Sequence, residues 1–329
     1  MQNTKGPFIH TKNTSFKIMM SICIALIPLV LFAIYKNGLV LFFKGEISFL
    51  SSLYPLLIII VSAASTFAFD TLQTLAFSKE NIKEYMKTSF SFLPGVILSL
   101  VIPINTPIYV IIIACLIATV LEKILFGVSN KHIFNTVALS FIIISVFSIL
   151  NGGYSYLNQV ESTKYVSSPL QSEIELNYSY ETTVKQYGDL KQFFVGNVPG
   201  GIGEVSILFC IIGFIYLIVK KSIKYLIPIS TFITLIIGFI IFGLVNNFDI
   251  YFAVFNILIG GIVFSSIFIS SWTYTSPVTN LGQIVYGVLI GILTIVFRFI
   301  IPFADIYAAI FISNILVPII DNICVRFNK

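Results

Sequence analysis

The chain reads as an all-α polytopic membrane protein: about ten transmembrane helices in two five-helix inverted halves, with one long extracytoplasmic loop. Three observations predict this. Of the 329 residues, 57% are hydrophobic and 10% charged, with 32 Phe among them. Apolar runs of roughly 20 residues recur, the length that crosses about 30 Å of hydrocarbon. A polar stretch, residues 151–202, splits these runs into five and five. The expected units are therefore a first half over 1–150, the loop over 151–202 and a second half over 203–329.

Taken in order, the apolar segments cover 18–35, 54–77, 89–102, 107–127 and 133–150, then 203–219, 225–245, 251–271, 284–300 and 304–323. Polar residues run up to Phe16 and no small-residue cleavage site follows the first run, so that segment is expected to stay as a span. The third is the shortest and contains Pro94 and Gly95. It is expected to be broken or re-entrant, which lipid tolerates only inside protein. An odd number of crossings per half gives the halves opposite orientations, the arrangement of many inverted-repeat carriers. "IFNTVALSFI" in the fifth segment and "FISNILVPII" in the tenth are a faint echo of such a repeat.

Basic residues set the orientation. With the N-terminus in the cytoplasm, inner segments hold thirteen Lys and Arg and outer segments five, with Arg298 near the outer end of the ninth helix. Both termini are then cytoplasmic, the loop 151–202 faces outward, and the site of residence is the cell membrane. The formal charge of +5 reads as membrane topology and implies no nucleic-acid partner. Cys23, Cys115, Cys210 and Cys324 are scattered and form no C-x-x-C, so neither zinc nor an iron–sulfur cluster is expected. Asp70 and Glu122 sit toward the cytoplasmic ends of their segments, and no chain of carboxylates crosses the membrane. No nucleophile, general base or metal set is visible.

The most specific stretch is "TYTSPVTNLGQIVYGVLIGILTIVFRF", residues 273–299. It resembles the RnfD/NqrB family, whose members carry T-S-P-V-T, then Gly, then a Gly-rich helix ending in Arg. Thr275 to Thr279, Gly282, Gly287, Gly291 and Arg298 occupy those positions, followed by Asp305, Asn314, Pro318 and Asp321. "GNVPGGIGEVS", 196–206, is similar to the family's G-x-x-G-E-x-S at the start of the sixth helix; "PGVILSLVIP", 94–103, and "EKILFGVSNKHIFN", 122–135, match two more blocks.

The resemblance implies electron transfer through flavins; with no catalytic set visible, any chemistry would be the cofactor's. It implies an FMN joined as a phosphoester to a threonine of an outward-facing S-G-A-T motif, attached by a flavin transferase. It also implies a non-covalent riboflavin or related flavin within the helices, coupling to Na⁺ or H⁺ movement, and other Rnf/Nqr-type membrane subunits as partners in the lipid bilayer. Counting back from 196–204, Thr183 takes the acceptor position in "NYSYETTVKQYGDL", while Tyr180, Glu181 and Thr182 replace Ser, Gly and Ala. Glu181 brings bulk and a negative charge beside an incoming phosphate. The alternative is a solvated loop threonine.

The family's G-G-L-G-x-N-x-F-N-P-A aligns with 127–137, where Phe134 and Asn135 are kept. An Asn amide both donates and accepts, which suits a flavin's pyrimidine edge; capping of the fifth helix is the alternative. Ser276 and Thr279 line a flavin pocket or cap helix ends at the Pro277 turn. Glu204 begins the sixth helix, as a cofactor contact or as a cap. Arg298 faces a flavin phosphate, snorkels to the interface or pairs with Asp305. Where the family has an acid before T-S-P, Trp272 reads as an interfacial anchor. Two other functions stay open on the same scaffold: a small-solute transporter, or a structural subunit without flavin.

Overall fold

The computed structural model describes residues 15–77, 90–126, 134–150, 190–248, 250–301 and 304–327. Thr183 and the 127–133 stretch lie outside them. Among the described residues all regular structure is helical. That follows from lipid, where each backbone N–H and C=O must find its partner within the segment.

The first helix, α1, runs Ser15–Phe43 with a π turn at Tyr35–Leu39. The one-turn α2 (Phe49–Ser52) leads into α3 (Tyr54–Phe77). Next come α4 (Leu93–Val101), α5 (Ile108–Phe126) and α6 (Thr136–Leu150). After α7 (Leu190–Val195) the chain forms α8 (Ile207–Val219), α9 (Leu226–Val245) and α10 (Ile250–Leu258). Gly260 and Gly261, both with positive φ, then turn it by 66° into α11 (Ile262–Ile269), whose last five residues are a second π turn. The chain closes with α12 (Asn280–Ile300) and α13 (Asp305–Phe327). Among the described residues five helices are long and apolar enough to cross a membrane, or six if α10 and α11 form one broken span.

Three expectations differ from this. The segment 251–271 is not one helix, because the two left-handed glycines interrupt it. The sixth helix starts at Ile207, so Glu204 precedes it in a turn. The polar stretch does not stay solvated to residue 202: Phe193, Val198 and Ile202 are buried. There the chain folds back onto the end of α4, with Ile202 N–H donating to Ile102 O (3.0 Å) and Gly203 N–H to Leu100 O (2.7 Å). Gly201 permits the approach, since a Cβ there would sit 2.4 Å from Val101 O.

The two sides of the chain pack in the same order. In the first, α3 lies against α4 and α5, and α5 against α6. In the second, α9 lies against α10 and α12, and α12 against α13. The sides meet through α1 on α8 and α6 on α13. Phe134 stacks on Phe311 at 4.9 Å and Phe141 on Tyr307 at 3.8 Å, so the two echo segments lie face to face.

Small residues set the closest seam, as expected where apolar area alone gives no drive for helices to associate in lipid. Along α9 and α12, Thr231 Oγ1 reaches Gly287 O at 3.2 Å. A Cβ on Gly287 would lie 1.9 Å from Ser230 Oγ and 2.7 Å from Ile227 O. Gly287→Ala is expected to cost about 1–3 kcal/mol through overpacking, read as a lower Tm of the detergent-solubilised protein. An unchanged Tm would show that the seam opens freely.

Candidate functional site

The structure sorts the sequence-derived residues into two groups at different levels of the bundle. The first lies where α6, α11 and α13 pack together, close to the end that carries the 220–225 turn.

In this group Asn135 caps α6. Its Oδ1 accepts from Val137 N–H (3.0 Å) and Ala138 N–H (3.2 Å), while Nδ2 donates to Ile269 O (2.9 Å). The amide therefore fixes α6 to the π turn of α11, whose Ser270 N–H returns to Ser265 O. Phe134 precedes it, buried against Phe311. Ser276 Oγ donates to Trp272 O at 2.8 Å, and Thr279 Oγ1 caps α12 by accepting from Gly282 N–H at 3.1 Å. The turn itself is clamped by Lys224, whose Nζ donates to Thr273 O (3.0 Å), Ser276 O (2.8 Å) and Ser276 Oγ (3.0 Å). Burial lowers Lys224 to about 8, with Asp321 acting against it. Asp321 Oδ1 accepts from Val278 N–H at 3.0 Å and holds the same turn from α13.

Several buried polar atoms on the same elements have no partner among the described residues: Ser140 Oγ on α6, Ser265 Oγ and Ser266 Oγ on α11, Thr275 Oγ1 on the turn, and Ser313 Oγ and Asn314 Nδ2 on α13. Buried polar groups are nearly always hydrogen-bonded, so such a concentration asks for a polar occupant. Sequence reasoning missed these serines. Each is an ordinary small residue in an apolar helix, and nothing in its sequence marks it as buried without a partner.

The second group lies toward the other end. Arg298 and Asp305 form a fully buried pair, Nη2 to Oδ2 at 2.6 Å and Nε to Oδ2 at 2.7 Å. Arg298 also donates to Asn256 O (2.5 Å), Asn256 Oδ1 (3.2 Å) and Ile259 O (3.4 Å). It thus satisfies carbonyls that the break after α10 leaves without helical donors, and its guanidinium lies over Phe239 at 5.6 Å. Of the three readings of Arg298, the structure shows the pair with Asp305. Glu204 lies nearby, with Oε2 accepting from Tyr307 O–H (2.7 Å) and Oε1 from Gly201 N–H (3.2 Å). Asp70 and Glu122 each take a hydroxyl from a following segment: Ser91 on Asp70, and Thr136 on Glu122 at 2.5 Å. Among the described residues no three His, Cys, Asp or Glu gather as a metal site.

The fold and these networks define a helical membrane protein that keeps polar contacts at interrupted helices inside an apolar bundle. The particular family follows from comparison. The model of the NQR2, RnfD, RnfE family matches residues 2–328, and the chain belongs to that family. It is 26% identical over 326 residues to a subunit of the proton-translocating ferredoxin:NAD(+) oxidoreductase complex of Clostridium ljungdahlii, covering 97% of this chain and 93% of that one. It is 25% identical over 342 residues to a subunit of the Na(+)-translocating ferredoxin:NAD(+) oxidoreductase complex of Acetobacterium woodii, covering 99% and 93%. A third relative, a subunit of the Na(+)-translocating NADH-quinone reductase of Chromohalobacter salexigens, is 23% identical over 245 residues, covering 72% of this chain and 58% of that one. These relatives are subunits of ion-translocating oxidoreductase complexes.

Proposed function

We propose that the chain is a membrane subunit of an Rnf/Nqr-type electron transport system and passes electrons through bound flavin. Family membership over almost the whole chain supports the assembly. The observation that carries the flavin is the set of partnerless buried hydroxyls on α6, α11 and α13. A flavin's pyrimidine edge offers an N–H donor and carbonyl acceptors, and hydroxyls that both donate and accept match it. The residues present therefore fit the group. Ser140, Ser265, Ser266 and Ser313 would hold the polar edge, with the Phe134–Phe311 stack joining the start of α6 to α13. Asn135 and Ser276 position this wall from behind, because their own polar atoms already hold Ile269 and Trp272. When bound, the flavin would supply one- and two-electron redox chemistry.

The topology belongs to the same proposal. Counting α8, the broken α10–α11 pair and the shorter α4, α5 and α6 as membrane elements gives ten, in two inverted halves. The repeated packing order and the face-to-face contact of α6 with α13 support it. Lys17, Lys220, Lys221, Lys224 and Arg326 lie at one end of the described helices, which is read as cytoplasmic. Residues 151–202 are then extracytoplasmic. Other membrane subunits are the partners, with a flavin transferase if FMN is attached at Thr183. Coupling to Na⁺ or H⁺ movement follows the relatives' names.

The test is a flavin assay on the protein purified from its own host. The undenatured protein is expected to show a flavin spectrum, and denaturation to release the flavin. Replacing Ser265 and Ser266 together by Ala is expected to lower the released flavin at least tenfold. Preparations free of flavin at full assembly would sink the reading and leave a solute carrier or a structural subunit. In-gel fluorescence lost in Thr183→Ala would add a covalent FMN. A dark band would leave the non-covalent flavin as the sole carrier.

A further inference from the structure

Three interruptions of helix meet around one carboxyl. The π turn of α1 contributes Lys36 and Asn37: Lys36 Nζ donates to Val198 O (2.5 Å) and Asn37 Nδ2 to Ile202 O (2.8 Å). The end of α4 contributes Leu100 O, which accepts from Glu204 N–H at 3.0 Å. The break between α10 and α11 contributes Gly261, whose missing Cβ is replaced by the carboxyl itself, since an added Cβ would lie 2.0 Å from Glu204 Oε2. Glu204 is buried at this junction, between helices from both sides of the bundle.

Two buried carboxylates stand in contrast here. Asp305 is held directly by the Arg298 guanidinium and by Ile306 N–H. Glu204 is held by two neutral donors, Tyr307 O–H and Gly201 N–H. The ammonium of Lys36 acts on it through space: its Nζ donates to Val198 O, and no direct Lys36–Glu204 bond is present among the described residues. A buried charge without a direct counter-charge is unfavourable, and a carboxyl in that position relieves the cost by taking up a proton. Carboxyls set in such unlike surroundings divide the work: one stays ionised and the other exchanges.

We propose that Glu204 is a proton-binding site at the junction of the three helix interruptions, exchanging one proton while Asp305 stays paired with Arg298. Uptake adds one proton to Glu204 Oε2 with no electron transfer. The new carboxyl O–H then donates to the Tyr307 oxygen, reversing that hydrogen bond. The charged and titratable groups facing Glu204 are Lys36 from α1, Cys210 from α8, and Tyr307 and Asp305 from α13, with Arg298 of α12 behind Asp305. The α4 and α11 faces present Leu100 and Gly261. The proposal rests on Glu204 and its own partners and does not depend on the flavin reading.

Infrared difference spectra between acid and alkaline pH test this on the full chain, in the assembly purified from its host membranes. A protonated-carboxyl C=O component is expected to rise as pH falls and to be missing from Glu204→Gln, while the bands of the other carboxyls remain. In Tyr307→Phe, which keeps the ring stacked on Phe141, the band is expected to move to higher frequency; this variant carries the test if Glu204→Gln does not assemble. Difference spectra that match wild type in Glu204→Gln, or a band unmoved in Tyr307→Phe, overturn the proposal. Loss of the band on adding Na⁺ at fixed pH also overturns it, because the site would then take the metal ion.

Discussion

Arg298→Met is expected to destabilise the protein by about 3–5 kcal/mol, the cost of stranding one partner of a buried ion pair. The variant leaves Asp305 inside the bundle with its carboxylate facing no cation. It also strips Asn256 O and Ile259 O of their donor at the point where α10 ends. Arg298→Lys is expected to recover only a part, because a single ammonium cannot reach Asp305 and both carbonyls as a planar fork does. Replacing both partners, Arg298→Met with Asp305→Leu, should do less harm than Arg298→Met alone, since no buried charge is then left over. Thermal unfolding of the detergent-solubilised variants decides. An Arg298→Met variant within about 1 kcal/mol of wild type would mean that water reaches the pair.

Gly261→Ala is the second large expected effect, about 2–5 kcal/mol. Two causes add. The residue has φ +67, where an L side chain costs roughly 1–2 kcal/mol. Its Cβ would also fall 2.0 Å from Glu204 Oε2, and such overpacking costs roughly 1–3 kcal/mol. Gly45 separates the causes. Its φ of +74 is similar, but an added Cβ meets nothing within 4 Å. Gly45→Ala should therefore carry the conformational cost alone, and a Tm drop equal to that of Gly261→Ala would show that the carboxyl simply moves aside.

Much of this architecture was legible in the residues because lipid leaves few options. Runs such as 226–245 and 280–300 are apolar, long and bounded by polar turns, and they are helices within a few residues of the expected ends. The pairing of Arg298 with Asp305 was legible too, two opposite charges set at the facing ends of consecutive helices. So was capping by Asn135 and Thr279, since those side chains precede helices. The break at Gly260–Gly261 was not. Two glycines in an apolar run read as a tolerated weakness, and only a sharp turn between packed neighbours makes them left-handed. The setting of Glu204 was hidden for a related reason. Its surroundings come from α1, α4, α11 and α13, segments up to 271 residues apart in sequence, counted from Lys36 to Tyr307. The burial of 193–202 was missed because its polar and glycine-rich sequence reads as loop. Phe193, Val198 and Ile202 face inward while Phe194 and Val195 stay exposed, and Gly201 lets the backbone sit against α4.

The two π turns, Tyr35–Leu39 and Ser265–Ile269, bear on how this chain can vary in length. A π turn closes its hydrogen bond one residue later than an α turn and so accommodates an extra residue without breaking the helix. Within an ordinary helix, an insertion or deletion swings every later side chain by about 100°. At these two places one residue can be excised and the flanking turns rejoin in register. They act as expansion joints, where the bundle can lengthen or shorten by a residue while its remaining faces keep their aim.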